Sequence, residues 1–331
     1  MSITKQTDHK PSEAHTPLIM LSSDTRSEYR RTKHLARRKR MEAKIYKADT
    51  TKSWLRNCFD AVTMLKVALS ITGLRAWAAR NAMSHRHRKQ VFEYESLPPT
   101  FHGFRIMHLT DLHINGHPGL ADHLHNQIKD VSVDLCLLTG DYLFRVGSGE
   151  HEAHAYMEHV IAGVDARGGC IGILGNHDIA SNATYLESLG VRMLINEAVE
   201  IKIGDESIWI AGVDDPHDYK NDDLPGVDND IPEEAFKILM AHSPEIYKEA
   251  ADLGYKLYLC GHTHAGQVQI PGVGPIISRA RAPRRFTYGT WQQREMCGYT
   301  GSGVGASGQF ARVFCPPEIG LIELRRKNFE G

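Results

Sequence analysis

The sequence predicts an α/β body preceded by a basic extension, and three observations carry that expectation. From Phe101 onward, short apolar runs alternate with segments of helical pattern, the grammar of strands packed under helices. Five of those runs end in Asp, Asn or His at the same end. The charge is also divided along the chain. Residues 1–90 hold 20 Lys and Arg against 7 Asp and Glu, and residues 91–331 hold 19 against 33, so the net charge of −1 joins a cationic arm to an acidic body. With 331 residues and 41% hydrophobic content, the body can bury a sizeable core.

The expected organisation is a basic, partly disordered arm over residues 1–57, an amphipathic membrane-interface helix over 58–90, and a catalytic domain over 91–331. The arm carries the basic block Arg30–Arg40, and residues 1–25 read as a solvated tail. From Trp54 through Ala79, Val62, Leu65, Leu69 and Ala76 recur at helical spacing, and Met64, Val67, Ala68 and Ile71 widen the face. Lys66 and Arg75 leave no uncharged stretch near the ~18–20 residues that a bilayer crossing needs. Flanked by Arg56, Arg80 and the run His85–Lys89, this stripe fits a helix lying on an anionic membrane surface. A helix packed on the body and a nucleic-acid arm are the competing readings. Nucleic acid is disfavoured, because no aromatic-studded basic groove and no zinc-finger spacing accompanies the charge. The six cysteines show no CxxC spacing, and Cys136, Cys170 and Cys260 sit inside apolar runs as small hydrophobes. A reducing compartment is expected. Together with the membrane reading, this gives a cytoplasmic location, peripheral on the inner face of the inner membrane.

The body reads strand by strand. Phe104–Thr110 runs into Asp111-Leu112-His113, a carboxylate and an imidazole two residues apart that can grip one metal ion. Val133–Thr139 runs into Gly140-Asp141, and Cys170–Leu174 into Gly175-Asn176-His177-Asp178. Phe236–Ala241 ends at His242. Leu257–Cys260 ends in Gly261-His262-Thr263-His264, where flanking glycines let two imidazoles swing toward one centre. Ligands bind at such strand ends in open α/β sheets.

Gathering several ionisable groups costs free energy unless a cation compensates. Asp111, His113, Asp141, Asn176, His242, His262 and His264 therefore suggest a site for two divalent ions. With no thiolate among them, Mn²⁺, Fe²⁺ or Zn²⁺ suit the set, Mn²⁺ being favoured. His151, His154 and His159 complete no HExxH motif and, with His123 and His125, read as surface. The glycine-rich Gly298–Gly308 lacks a P-loop lysine and reads as a close-packed turn before a final strand, Glu318–Leu324. Arg279, Arg281, Arg284 and Arg285 form a basic cluster that could face phosphate, lipid head groups or solvent.

In this order, D-x-H, G-D, G-N-H-D, a single His and G-H-T-H resemble the calcineurin-like metallophosphoesterases from about Phe101 to the C-terminus. The resemblance implies a four-layer α/β/β/α sandwich with a dinuclear site. Asp111, His113 and His264 would hold one ion, Asp141 would bridge, and Asn176, His242 and His262 would complete the second. His177 is expected to act on the leaving oxygen or on transition-state charge, with Asp178 fixing its orientation and the Asn176 amide free to donate toward phosphate. Leu189–Glu197, Ala211–Pro216 and Cys315–Ile319 further resemble a bacterial membrane-associated phosphodiesterase branch that includes UDP-2,3-diacylglucosamine pyrophosphatases of lipid A synthesis. That resemblance implies a nucleotide-linked lipid substrate, cleaved to UMP and 2,3-diacylglucosamine 1-phosphate. A phosphodiesterase acting on nucleic acid or a cyclic nucleotide and a non-catalytic scaffold are the alternatives.

Overall fold

The strands that read as unbroken apolar runs do so because both of their faces are buried. In Leu135–Leu138, Leu135 and Leu137 point to one core while Cys136 and Leu138 point to another. In Leu257–Cys260, Leu257 and Leu259 join that same first core, and Tyr258 and Cys260 face a third. The shared core therefore lies between two sheets. These relations come from a computed structural model that describes residues 18–22, 25–50, 67, 69–145, 149–275 and 280–329.

One sheet has six strands in the order Arg86–Tyr94, Glu318–Arg326, Phe104–Leu109, Leu135–Leu138, Cys170–Gly172 and Val191–Met193. The other has seven, Leu18–Ser22, Glu197–Ile203, Glu206–Gly212, Lys237–Met240, Leu257–Cys260, Met296–Thr300 and Gly289–Gln293. Helix Leu120–Ile128 puts Leu120, Leu124 and Ile128 on the outer face of the first sheet, beside Met157 and Val160 of Glu150–Ala162. Leu224, Val227, Tyr247 and Ala250 cover the outer face of the second. The result is helix, sheet, sheet, helix, a four-layer α/β/β/α sandwich. Phe104–Leu109, Leu135–Leu138 and Cys170–Gly172 run parallel, as do Lys237–Met240 and Leu257–Cys260, so each set delivers its following residues to one edge.

The extension departs from expectation. Within the stretch read as a solvated tail, Leu18–Ser22 pairs antiparallel with Glu197–Ile203 and closes the edge of the second sheet. The basic block lies in a single helix, Thr25–Thr50, docked on the body through ion pairs: Arg30 to Asp230 at 2.7 Å, Arg31 to Glu197 at 2.8 Å and to Glu187 at 2.5 Å. Carboxylates of the acidic body thus take up charge that was expected to seek an external anion.

The continuous helix expected over 58–90 is also corrected. Residues 51–66, with Trp54, Arg56, Val62, Met64, Leu65 and Lys66, and residue Ala68 lie outside the described residues. Beyond them the chain turns at Thr72–Leu74, where Gly73 takes φ 68°, and resumes as the short helix Arg75–Asn81. Ala78 and Leu69 pack against Ala311 of the body, and Ala78 O accepts from Arg312 N at 3.0 Å. Arg86–Lys89 then opens a strand paired with Glu318–Arg326, moving the start of the catalytic sheet from 91 to 86. Its charged side chains stand in solvent, as suits an edge strand. In the glycine-rich tail, Gly298–Thr300 belongs to strand Met296–Thr300 rather than to a turn. Of the basic cluster, Arg279 lies outside the described residues, and the guanidinium of Arg284 donates to the Val273 and Pro275 carbonyls.

Candidate metal centre

The two sets of strand ends meet across the sandwich. From the first sheet come Asp111 and His113, Asp141, and Asn176; from the second come His242, His262 and His264. All seven are buried. Asp111, His113, Asp141, His262 and His264 sit at positive φ, between 39° and 68°. Non-glycine residues held this way cost about 1–3 kcal/mol each and persist only where their surroundings over-determine them. Hydrogen bonds supply that constraint: the Asp111 carboxylate accepts from His262 N at 2.9 Å, and His113 N donates to Asp141 O at 2.9 Å. Gly261 allows the close approach, since a Cβ there would press into Thr110 Oγ1 and Asp111 Oδ2.

The donor atoms form one connected group. His113 Nε2 lies 3.1 Å from His264 Nε2 and 3.6 Å from Asp141 Oδ2, and His264 Nε2 lies 3.4 Å from Asp111 Oδ1. On the other side of Asp141, His242 Nε2 lies 3.3 Å from Asp141 Oδ2. Asn176 Oδ1 lies 3.0 Å from both His242 Nε2 and His262 Nδ1. His113 donates through Nδ1 to Leu143 O at 2.6 Å, and His242 through Nδ1 to Thr139 O at 2.8 Å. Both rings therefore turn Nε2 lone pairs inward. Inward-facing nitrogens, carboxylates and an amide oxygen, most of them acceptors, are what a cation fills, and the residues fit a pair of divalent ions.

The electrostatics agree. Burial pushes the His113 imidazole down to about 3, with His177 adding to it, and burial holds His262 and His264 well below the usual range, all in the neutral form that ligation requires. Burial would depress His242 too, but Asp141 and Asp111 raise it to about 10. Burial lifts Asp111 to about 6, with Asp141 adding to the shift and His242 opposing it. The cavity calls for positive charge. A metal pair supplies it without a proton on His242.

Three expectations for the neighbouring residues change. Asp178 does not touch the His177 ring. Its carboxylate accepts from the backbone N–H groups of Asp141, Tyr142 and Gly175 at 2.8 Å and of Leu143 at 3.3 Å, tying the Gly140 and Gly175 turns together. Burial and the nearby Asp141 raise it to about 6. The orientation of His177 is set instead by Phe144 O, 2.9 Å from its Nδ1, and its ring stands edge-on to His113 with centroids 4.8 Å apart. The Asn176 amide is not wholly free, because Nδ2 donates to Asp218 Oδ2 at 3.0 Å. His177 also groups with His113 and Asp141 closely enough to share an ion.

Several residues of the site were not singled out from the sequence. Asp214 and Asp215, buried, follow strand Glu206–Gly212 in the same strand-then-ligand pattern as the five motifs, so that signal was present. The His217 ring lies tilted against that of His262, 4.1 Å between centroids, and pairs with Glu245 at 2.5 Å. Arg312, fully buried behind His264, donates to the Gly303 and Gly305 carbonyls and carried no sequence signal.

Fold and site together describe a metal-dependent hydrolase of phosphate esters, and comparison with known proteins agrees. Residues 104–266 match the family profile of the calcineurin-like phosphoesterases. The chain is 30% identical over 240 residues to the uncharacterized metallophosphoesterase YkuE of Bacillus subtilis, covering 70% of this chain and 82% of that protein. It is 28% identical over 249 residues to the phosphodiesterase YaeI of Escherichia coli, covering 72% and 87%. The uncharacterized metallophosphoesterase YkoQ of Bacillus subtilis is 27% identical over 222 residues, covering 65% and 81%. The chain belongs to the calcineurin-like metallophosphoesterase family and is a metal-dependent phosphoester hydrolase.

Proposed function

We propose that this protein is a phosphodiesterase or pyrophosphatase working with two divalent ions, Mn²⁺ being favoured. The observation that carries the reading is the sharing of Asp141 by two donor groups, one with Asp111, His113 and His264, the other with Asn176, His242 and His262. When bound, such a pair supplies Lewis acidity to a phosphoryl oxygen and acidifies water. Asp141 holds the two groups together, and the Leu143 and Thr139 carbonyls fix the tautomers of His113 and His242. His177, half-buried and oriented by Phe144 O, is placed to hold a proton for the departing oxygen.

The finer proposal is a nucleotide-linked lipid, UDP-2,3-diacylglucosamine, cleaved to UMP and 2,3-diacylglucosamine 1-phosphate at an anionic membrane surface on the cytoplasmic side. Exposed Ile270, Val273 and Phe314, on segments that pair next to the His264 turn, support an apolar contact. Exposed Lys33, Arg37, Lys39 and Arg40 support an anionic one. Among the described residues no helix is long and apolar enough to cross a membrane.

The test uses the full chain loaded with Mn²⁺, with metal content measured and turnover followed on UDP-2,3-diacylglucosamine beside an aryl phosphodiester. Cleavage of both supports the proposal. Cleavage of the aryl ester alone removes the lipid substrate, and cleavage of neither favours a scaffold. Flotation with anionic against neutral vesicles tests the surface.

A further inference from the structure

We infer that Arg38, on the N-terminal helix and outside the family match, is a positioning residue for the turn that carries Asn176 and His177; the inference rests on the dinuclear reading above. Arg38 is wholly buried. One arm of its guanidinium pairs with Asp214, and the other donates to Gly175 O at 2.5 Å and to Asp178 O at 2.7 Å. The fork thus grips the two carbonyls that bracket Asn176 and His177. The same helix grips the next turn through Glu42, whose carboxylate accepts from Ala180 N at 2.6 Å.

The grip is braced. The guanidinium lies 3.8 Å over the Tyr219 ring, whose hydroxyl donates to the same Asp178 carbonyl at 3.2 Å. Asn221 donates to Asp214 Oδ2 at 2.7 Å and to His34 O at 3.0 Å, which ties Asp214 back to the helix. Only a planar fork reaches a carboxylate and two carbonyls at once; a lysine ammonium is a single point of charge. Burying such a pair adds little net stability compared with apolar packing, so its use here is geometric. With Gly175 and Asp178 held from below, Asn176 Oδ1 is kept at 3.0 Å from His242 and His262.

Two full-chain variants test this, Arg38→Lys and the double variant Arg38→Met with Asp214→Asn, which leaves no orphaned charge. Each is titrated with Mn²⁺ by calorimetry and by electron paramagnetic resonance. Turnover of an aryl phosphodiester is measured alongside. One Mn²⁺ is expected to weaken by about 10–100-fold while the other keeps its wild-type affinity, as when a partner that orients a ligand is lost. The value of kcat should fall by up to about 100-fold with KM little changed, as misplacement of a catalytic group predicts. Arg38→Ala should regain turnover and the second ion on addition of guanidinium chloride, which neither wild type nor His177→Ala should show. Folded variants that bind both ions and turn over as wild type does would overturn the inference. A wild type that binds two ions yet cleaves no phosphodiester would remove the proposed function and leave the metal readout standing.

Discussion

Asp178→Asn separates two roles for one buried carboxylate. In the structure each oxygen accepts from two backbone N–H groups, Oδ2 from Gly175 and Asp141 and Oδ1 from Tyr142 and Leu143. Asparagine keeps the shape but has a single acceptor oxygen. Whichever way the amide turns, two of the four N–H groups face another donor. Leaving two buried donors unsatisfied at about 1–3 kcal/mol each gives a loss of about 2–6 kcal/mol, a large part of the ~5–15 kcal/mol typical of a whole domain. Because Asp141 is one of the tethered residues, Mn²⁺ content should fall as well. Urea denaturation at constant m, with metal analysis on the same preparations, measures both. Were Asp178 instead the orienting partner of His177, the pH profile of turnover would move and stability would hold. A midpoint within the ~0.5 kcal/mol of an ordinary surface substitution would refute the reasoning.

Three further outcomes are expected. His177→Ala should lower turnover by about 10²–10⁴-fold, the usual worth of a positioned acid or base, with Mn²⁺ content unchanged; loss of both would make His177 a ligand. Gly261→Ala should cost metal before it costs fold, because its methyl group would press on Thr110 Oγ1 and Asp111 Oδ2, and metal analysis beside circular dichroism checks the order. Acid should destabilise the protein through two neutral imidazoles, His108 buried and His85 half-buried. Burial lowers His85 to about 4 and His108 to about 3, both below the unfolded value near 6.5. Their contribution is complete above pH 6.5 and is lost as pH falls from there toward 4 and 3, since only the unfolded chain takes up protons in that window. His85→Gln, which can still donate to Val304 O, should flatten the upper part of that loss in a pH series of urea midpoints.

The central strands and the ligands were legible because one pattern reports both. An apolar run means a strand buried on two faces, and the residues after it must lie at the sheet's edge, so Asp111, Asp141, Asn176, His242 and His262 could be grouped without knowing the topology. The N-terminal helix was not legible by the same logic. Its docked face is Ser27, Arg31, His34 and Arg38, at helical spacing and polar, with Leu35 the apolar residue beside them that reaches the core. Apolar patterning is blind to a face that is buried by ion pairs. The role given to Asp178 failed for a different reason. Neighbours in sequence suggested a His–Asp pair, whereas the turn directs the two side chains apart and uses the carboxylate to bind backbone.

The charge asymmetry of the chain has an internal cause as well as any external one. Glu187, Glu197, Asp214 and Asp230 ring the body on the side where the helix docks, and Arg31, Arg38 and Arg30 answer them. A basic run that composition assigns to a partner is therefore already partly neutralised within the fold. What remains for the proposed membrane surface is the exposed set Lys33, Lys39 and Arg40, with Arg37, also exposed, reaching back to Lys220 O at 3.3 Å. The two faces make separate demands. Charge reversal on the exposed face should weaken binding to anionic vesicles and leave metal content untouched, because surface charges act through screened attraction. Charge removal on the docked face should do the reverse. If both faces changed vesicle binding alike, the ion pairs with the body would be incidental and the whole helix would belong to the membrane.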